Sequence, residues 1–153
     1  MTTQSALAGK KIVLGVSGSI AAYKAADLVR LCTKARAEVK VVMTQGASEF
    51  ITPLTMQTLS GSPVAMTLLD ADEEAAMGHI KLARWADWIL IAPASANTIA
   101  SLAQGKAQDL LSALCLATTA PIGLAPAMNN KMWSNKATQA NLAIMAERGI
   151  HIL

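Results

Sequence analysis

Short apolar runs separated by stretches of helical periodicity constrain the fold of this chain more than any other feature. Runs such as KIVLGV (residues 11–16) and WILIA (residues 88–92) are apolar almost throughout, rather than on alternate residues. Strands of this kind are typical of a parallel sheet that is buried on both faces. Their alternation with helices predicts right-handed βαβ units, and hence a three-layer α/β domain with helices on both faces of the sheet.

The predicted elements occupy almost the whole chain. Strands are predicted at residues 11–16, 38–43, 88–92, 122–125 and 150–153. Helices are predicted at residues 20–35, 48–59 (interrupted early by Pro53), 78–86, 96–103, 109–117 and 134–148, with Gly149 ending the last of them. Residues 64–72 are ambiguous. The acidic cluster at residues 70–74 is most simply a solvated loop, because nothing nearby completes a metal-ligand set.

Composition and charge argue against several classes of protein. A chain of 153 residues fits one domain, spanning residues 1–153, that buries roughly 70% of its unfolded surface. No apolar run approaches the ~20 residues of a membrane span, and residues 1–9 are too polar for a signal peptide. The net charge is +3 and aromatic residues make up 3%, so neither a membrane nor a nucleic-acid partner is expected. Cys32 and Cys115 are isolated thiols, which indicates a reducing cytoplasm.

The first two predicted strands end in small and hydroxylated residues. Ser17, Gly18, Ser19 and Ile20 follow the first strand, where small residues allow backbone N–H groups to approach a phosphate at a helix N-terminus. The sequence is neither a GxGxxG motif nor a P-loop, and a tight turn capped by serine is the alternative. Thr44 follows the second strand, and its hydroxyl could reach the same phosphate or cap the next helix.

The third and fourth strand ends carry amides as well as hydroxyls. The third loop contains Ser95, Asn97 and Thr98, which could hold a ribityl chain or the polar edge of a ring. The fourth is the run PAMNNKMW at residues 126–133, in which the amide of Asn129 suits a carboxylate or a heterocycle edge. Met128 and its apolar neighbours could wall a flat ligand. Capped helix starts are the alternative in both loops, but the convergence of four such loops favours a planar cofactor that bears a phosphate.

His79 opens the short predicted helix at residues 78–86. A histidine in the first turn of a helix tends to be neutral, because the helix dipole opposes its protonation. A neutral imidazole is a competent base, although an exposed or capping role is the alternative for a lone histidine. His151 lies in the last strand pattern, where a structural role is the simpler interpretation.

Four segments together resemble the homo-oligomeric flavin-containing cysteine decarboxylases. They are GVSGSIAAYK (residues 15–24), HIKLAR (79–84) followed by Ala86-Asp87, APASANT (92–98) and PAMNNKMW (126–133). The resemblance implies a Rossmann or flavodoxin-like fold and an FMN-dependent oxidative decarboxylation. The implied reaction converts 4′-phosphopantothenoyl-cysteine to 4′-phosphopantetheine in coenzyme A biosynthesis.

The same resemblance assigns roles to individual residues. His79 matches the acid/base group, and Asn129 matches the group that holds the substrate carboxylate, with Ala127 and Met128 beside the substrate. The FMN-binding positions implied are Ser17, Gly18, Ser19, Ile20, Thr44, Ser95, Asn97 and Thr98. A homotrimer, or a larger assembly of trimers, with sites between subunits is implied, together with a possible fused phosphopantothenate–cysteine ligase domain.

Departures from the family pattern leave alternatives open. The family carries a catalytic cysteine on a flap beyond the last strand, and this sequence ends at Leu153 before any such motif. We therefore expect these residues to bind FMN but to complete the reaction poorly, since neither cysteine present can substitute. A peptidyl-cysteine decarboxylase and a non-catalytic FMN-binding regulatory subunit are the other candidates, and an α/β domain for another nucleotide, such as a methyl-donor cofactor, is a more distant one.

Overall fold

Five parallel strands form the centre of the molecule. The computed structural model describes residues 5–68 and 78–153. The strands are β1 (Lys11–Val16), β2 (Glu38–Met43), β3 (Trp88–Ala94), β4 (Ile122–Pro126) and β5 (His151–Ile152), in the order β2-β1-β3-β4-β5. All four pairings are parallel. This is the strand order of flavodoxin-like folds, so the predicted fold class is confirmed.

Seven α-helices connect the strands within the described residues. They are α1 (Ala22–Lys34), α2 (Pro53–Ser60), α3 (Gly78–Trp85), α4 (Ala96–Ala103), α5 (Leu110–Ala117), α6 (Asn130–Ser134) and α7 (Lys136–Glu147), and a 3-10 turn spans Ala47–Glu49. The helix predicted at residues 134–148 corresponds to α7, which begins two residues later, whereas the short helix α6 before it was not predicted. Asn135 adopts an extended conformation (φ −61°, ψ 136°) and its side chain caps α7 by accepting from the N–H of Ala137, so the chain bends there.

The region between β2 and α3 also differs from the prediction. The predicted helix at residues 48–59 divides into the 3-10 turn and α2, because Thr52 caps α2 and Pro53 opens its first turn. Within the ambiguous stretch, Ala65 forms an isolated bridge with Val42. The acidic cluster at residues 70–74 lies outside the described residues.

The sheet separates two apolar cores, one on each face. One core packs side chains of α3, α4, α5 and α7 against the sheet; its largest fully buried members are Ile89, Ile91, Ile99, Leu111, Leu114, Leu124 and Met145. The other packs α1 and α2 against the opposite face; its largest fully buried members are Leu14, Val16, Met43 and Met56. Two buried faces explain why the strands are apolar on consecutive residues.

The order of the strands fixes where a ligand site can form. Successive connections leave β1 and β3 in opposite directions, and a crevice opens at such a switch point beyond the carboxyl ends of the strands. The four loops singled out in the sequence all follow strands, so all four lie at this edge. Within the described parts of the chain, no helix is both long enough and apolar enough to span a membrane.

Candidate functional site

The loops after β1 and β2 approach each other through two glycines. A Cβ atom placed on Gly18 would lie 3.0 Å from the carbonyl carbon of Gly46, which is closer than a side chain normally tolerates. The Oγ1 atom of Thr44 accepts a hydrogen bond from the N–H of Ala47 (3.2 Å), which holds the second loop in its turn. The two backbones therefore meet without intervening side chains, as an anion cradle requires.

Ser17 joins the ends of β1 and β3. Its side chain is fully buried, and its Oγ donates to the carbonyl oxygen of Pro93 at 2.6 Å. The same Oγ accepts from the N–H of Ser95 at 2.8 Å. Ser17 therefore connects the two loops through a hydroxyl that the protein encloses, and its direct contact with the cofactor stays a prediction.

Ser95 begins α4 and shapes the third loop. Its Oγ accepts from the N–H of Thr98 at 3.2 Å and lies 3.2 Å from the Thr98 hydroxyl. Asn97 is exposed beside this cap. A first cleft of about 390 Å³ opens here. It is lined by the first three loops together with parts of α4, α5 and α6, including Gly18, Thr44, Gly46, Ser95, Asn97, Thr98, Asp109 and Met132.

A second cleft joins the first one across the fourth loop. It measures about 590 Å³, and it shares Gly18, Ser95, Ala96 and Met132 with the first cleft. Its other lining residues are Ser19, Ile20, Ala21, Ala127, Met128 and Asn129. The structure thus brings all four predicted loops around two adjoining clefts.

The oxygen and the nitrogen of the Asn129 side-chain amide lie in different environments. It caps α6, and its Oδ1 accepts from the N–H groups of Lys131 (2.8 Å) and Met132 (3.4 Å). Because both partners are donors, the oxygen must face them, and the NH₂ group points away from the helix. Asn129 is exposed and lines the second cleft, so capping leaves two donors for a ligand.

His79 lies at the start of α3, outside both clefts. Since α3 ends at Trp85, just before β3 begins, it runs antiparallel to the strands and its first turn points towards their carboxyl edge. The Nδ1 atom of His79 is buried and has no hydrogen-bond partner among the described residues. A buried ring nitrogen without a partner is unusual and is typical of a group that acts on a ligand or awaits one.

The two cysteines are poor candidates for a reactive thiolate. Burial raises the pKa of the Cys32 thiol. Burial, reinforced by the negative charge of Asp109, raises the pKa of Cys115 to about 12. Both groups are therefore protonated at neutral pH. In the described part of the chain, no three His, Cys, Asp or Glu side chains are grouped to hold a metal ion.

Sequence reasoning missed two contributors to this space. Gly46 was not identified, although a glycine two residues after the hydroxyl at a strand end is a usable signal for close backbone approach. Asp109 was assigned only to a helix, whereas it forms a capping box with Ser112 and lines the first cleft. A serine three residues after an aspartate is a weak signal, because such pairs are common at helix starts.

Comparison with known proteins agrees with this geometry. The sequence model of the Flavoprotein family matches residues 1–153. The chain belongs to the Flavoprotein family. It is 60% identical, over 146 residues, to the "Coenzyme A biosynthesis bifunctional protein CoaBC" of Vibrio vulnificus; the match covers 95% of this chain and 36% of that protein. It is 50% identical over 142 residues to the "Probable phosphopantothenoylcysteine decarboxylase" of Streptococcus mutans, covering 92% of this chain and 79% of that protein.

A solved structure extends the likeness to three dimensions. The FMN-dependent cysteine decarboxylase SpaF matches with a TM-score of 0.87 and 35% identity, covering 97% of this chain and 85% of that one. The Flavoprotein-family chain nevertheless spans only 36% of the length of the Vibrio relative. That relative is bifunctional by name, so its complete activity is not carried by the matched region alone.

Proposed function

We propose that this domain binds FMN and uses it in the oxidative decarboxylation of 4′-phosphopantothenoyl-cysteine to 4′-phosphopantetheine, a step of coenzyme A biosynthesis. The main support is the pair of adjoining clefts at the β1/β3 switch point, one lined by the glycine contact and the other by Asn129, whose NH₂ group has no partner among the described residues. The names of the relatives point to the same chemistry.

The residues around the clefts fit an FMN group. The close approach of Gly18 to Gly46 leaves backbone rather than side chains where the phosphate would bind, and the carboxylate of Asp109, which lines the same cleft, accepts hydrogen bonds from Ser112. Ser19, Ile20 and Thr44 flank that point, while Asn97 and Thr98 line the cleft where a ribityl chain or ring edge would lie. When bound, the flavin would supply a two-electron acceptor for the substrate thiol and, once reduced, an electron donor for the decarboxylated ene-thiol, so that the overall conversion involves no net oxidation.

The protein contributes the proton transfer and the positioning of the substrate. His79 would receive the proton of the substrate thiol, since its Nδ1 atom is uncommitted within the described residues, while the hydrogen of the neighbouring carbon would leave with the electron pair that the flavin accepts. The NH₂ group of Asn129 donates to the substrate carboxylate, and Ala127 and Met128 pack beside the cysteine. Holding the carboxylate in one place aligns the bond that breaks when CO₂ leaves.

We propose further that the active assembly is a homotrimer, or a larger assembly of trimers, acting in the cytoplasm. The position of His79 supports this, because it lies at the correct edge of the sheet but lines neither cleft of its own chain. A neighbouring subunit that contributes its His79 would complete the site. The bifunctional relative suggests a ligase domain as a further partner, fused or separate.

Visible spectroscopy without oxygen tests the proposal. The purified protein, loaded with FMN, is mixed with 4′-phosphopantothenoyl-cysteine or with a peptide that ends in cysteine. Bleaching of the flavin bands by the first substrate supports the proposed reaction. Bleaching only by the peptide would assign the domain to peptidyl-cysteine decarboxylation. FMN binding without bleaching by either substrate would leave a binding subunit, and failure to bind FMN would remove the proposal altogether.

A further inference from the structure

A recess adjoins the second cleft on the side of α1. It measures about 230 Å³ and shares the lining residues Ala21 and Ala127 with the cleft. Its walls are Ala25, Leu28, Ala92, Pro93, Ala125 and Pro126, and the side chain of Lys24 completes the lining. The recess therefore combines an apolar surface with one cation, and it leads away from Asn129.

Lys24 is the charged residue among those that line the second cleft and the recess. Among the residues that line the second cleft and the recess, no other side chain carries a charge. Lys24 lies in the first turn of α1, where no acidic residue is present and where the helix dipole disfavours a cation. A bound anion at this position would satisfy both the lysine and the first turn of the helix.

The span from Asn129 to the recess lies within the reach of the proposed substrate. The chain from Ala125 to Asn129 is four residues long, which spans at most about 14 Å when extended. In 4′-phosphopantothenoyl-cysteine, about twelve bonds separate the carboxylate carbon from the phosphorus atom, the equivalent of about four residues of backbone at three bonds each. A substrate whose carboxylate is held by Asn129 can therefore place its phosphate near the recess.

We propose that the recess binds the phosphopantoyl end of the substrate, with Lys24 as the ligand of its phosphate. This inference rests on the proposed function and adds the element that selects a phosphopantothenoyl substrate over a peptide. The branched dimethyl carbon of the pantoyl group packs on the alanine and proline walls, and the phosphate meets the ammonium group of Lys24. A peptide ending in cysteine offers neither feature at that distance.

Binding measurements on the FMN-loaded protein test the role of Lys24 without relying on turnover. Calorimetry gives the dissociation constants of 4′-phosphopantetheine and of pantetheine, which differ only by the phosphate. We expect the phosphorylated compound to bind at least about 10-fold more tightly to the unmodified protein, because a charge-assisted hydrogen bond is lost without the phosphate. Lys24→Gln should reduce this preference to near unity, chiefly by weakening the phosphorylated compound.

Two further variants distinguish loss of the positive charge at Lys24 from a general disturbance of α1. Lys24→Arg should retain most of the preference, and Lys34→Gln, at the other end of α1 and outside the recess, should retain all of it. A preference that survives Lys24→Gln would overturn the inference, as would an equal loss for both compounds. Weakened FMN binding in Lys24→Gln, with the preference intact, would assign the lysine to the cofactor phosphate instead. Binding of neither compound by the unmodified protein would remove both the inference and the proposed substrate, whereas flavin bleaching by a cysteine peptide would show that the decarboxylase chemistry stands.

Discussion

The loops after β1 and β3 and the loop after β4 contain similar polar residues but use them differently. The hydroxyls of Ser17 and Ser95 are engaged within the protein, where they connect two strands and begin a helix. The side chain of Asn129 also caps a helix, but its NH₂ group stays free at the cleft. A hydroxyl at a strand end therefore serves mainly to place backbone, whereas an amide can cap a helix and still bind a ligand.

The comparison makes a prediction about substitutions. Loss of a side-chain group that has no hydrogen-bond partner inside the protein should slow the reaction. Loss of a group that is hydrogen-bonded inside the protein should lower its stability. His79 is the extreme case of the first kind. His79→Asn should retain FMN and the fold, but should slow anaerobic flavin reduction by about 10²- to 10⁴-fold, the usual contribution of a general acid or base. Stopped-flow absorbance measures the rate. His151→Asn, on the exposed β5 residue, is the control and should reduce at the normal rate.

Asn129→Asp separates the two functions of one side chain. Aspartate caps helices as well as asparagine does, so the melting temperature should hardly change. The carboxylate removes the donors and repels the substrate carboxylate, so half-saturation should require about 10- to 100-fold more substrate. Asn135→Asp, which alters the equivalent cap of α7 away from the clefts, provides the control. Normal substrate binding by Asn129→Asp would remove Asn129 from the substrate site.

Ser17→Ala should lower the stability of the protein rather than its binding of the substrate. The buried carbonyl oxygen of Pro93 and the half-buried N–H of Ser95 would lose their partner, which costs about 1–3 kcal/mol of unfolding free energy. Urea denaturation measures the loss. Ser48→Ala, which removes an exposed bond to the carbonyl of Gln45, should cost less. Undiminished stability combined with lost FMN binding would show instead that the Ser17 hydroxyl contacts the cofactor.

The smallest effect is expected at Ser95. Ser95→Ala removes the cap of α4 and should lower the unfolding free energy by about 1 kcal/mol, while Ser95→Asn should restore most of it. Thermal unfolding of the three proteins provides the measurement. Poor FMN binding by both variants at unchanged stability would show that the hydroxyl of Ser95 contacts the ligand directly. The distinction between the hydroxyls of the first and third loops and the amide of Asn129 would then be wrong.

The fold could be predicted from local pattern far better than the site. β1 and β2 were placed to the residue, because apolar runs bounded by polar residues define buried strands. The short helix α6 was missed, because five residues carry too little periodicity to distinguish a helical turn from a loop. The role of Ser17 depends on carbonyl and N–H groups 76 and 78 residues away, and no local pattern carries that information.

The bonds of Ser17 also bear on how the protein is made. Contacts between residues so distant in sequence form late, because the intervening chain must first be ordered. A ribosome that has released β1, α1 and β2 has therefore produced both glycines of the cradle but not the groups that hold the first loop against β3. We therefore expect cofactor capture to follow the emergence of Ser95, after β1, α1 and β2 have left the ribosome.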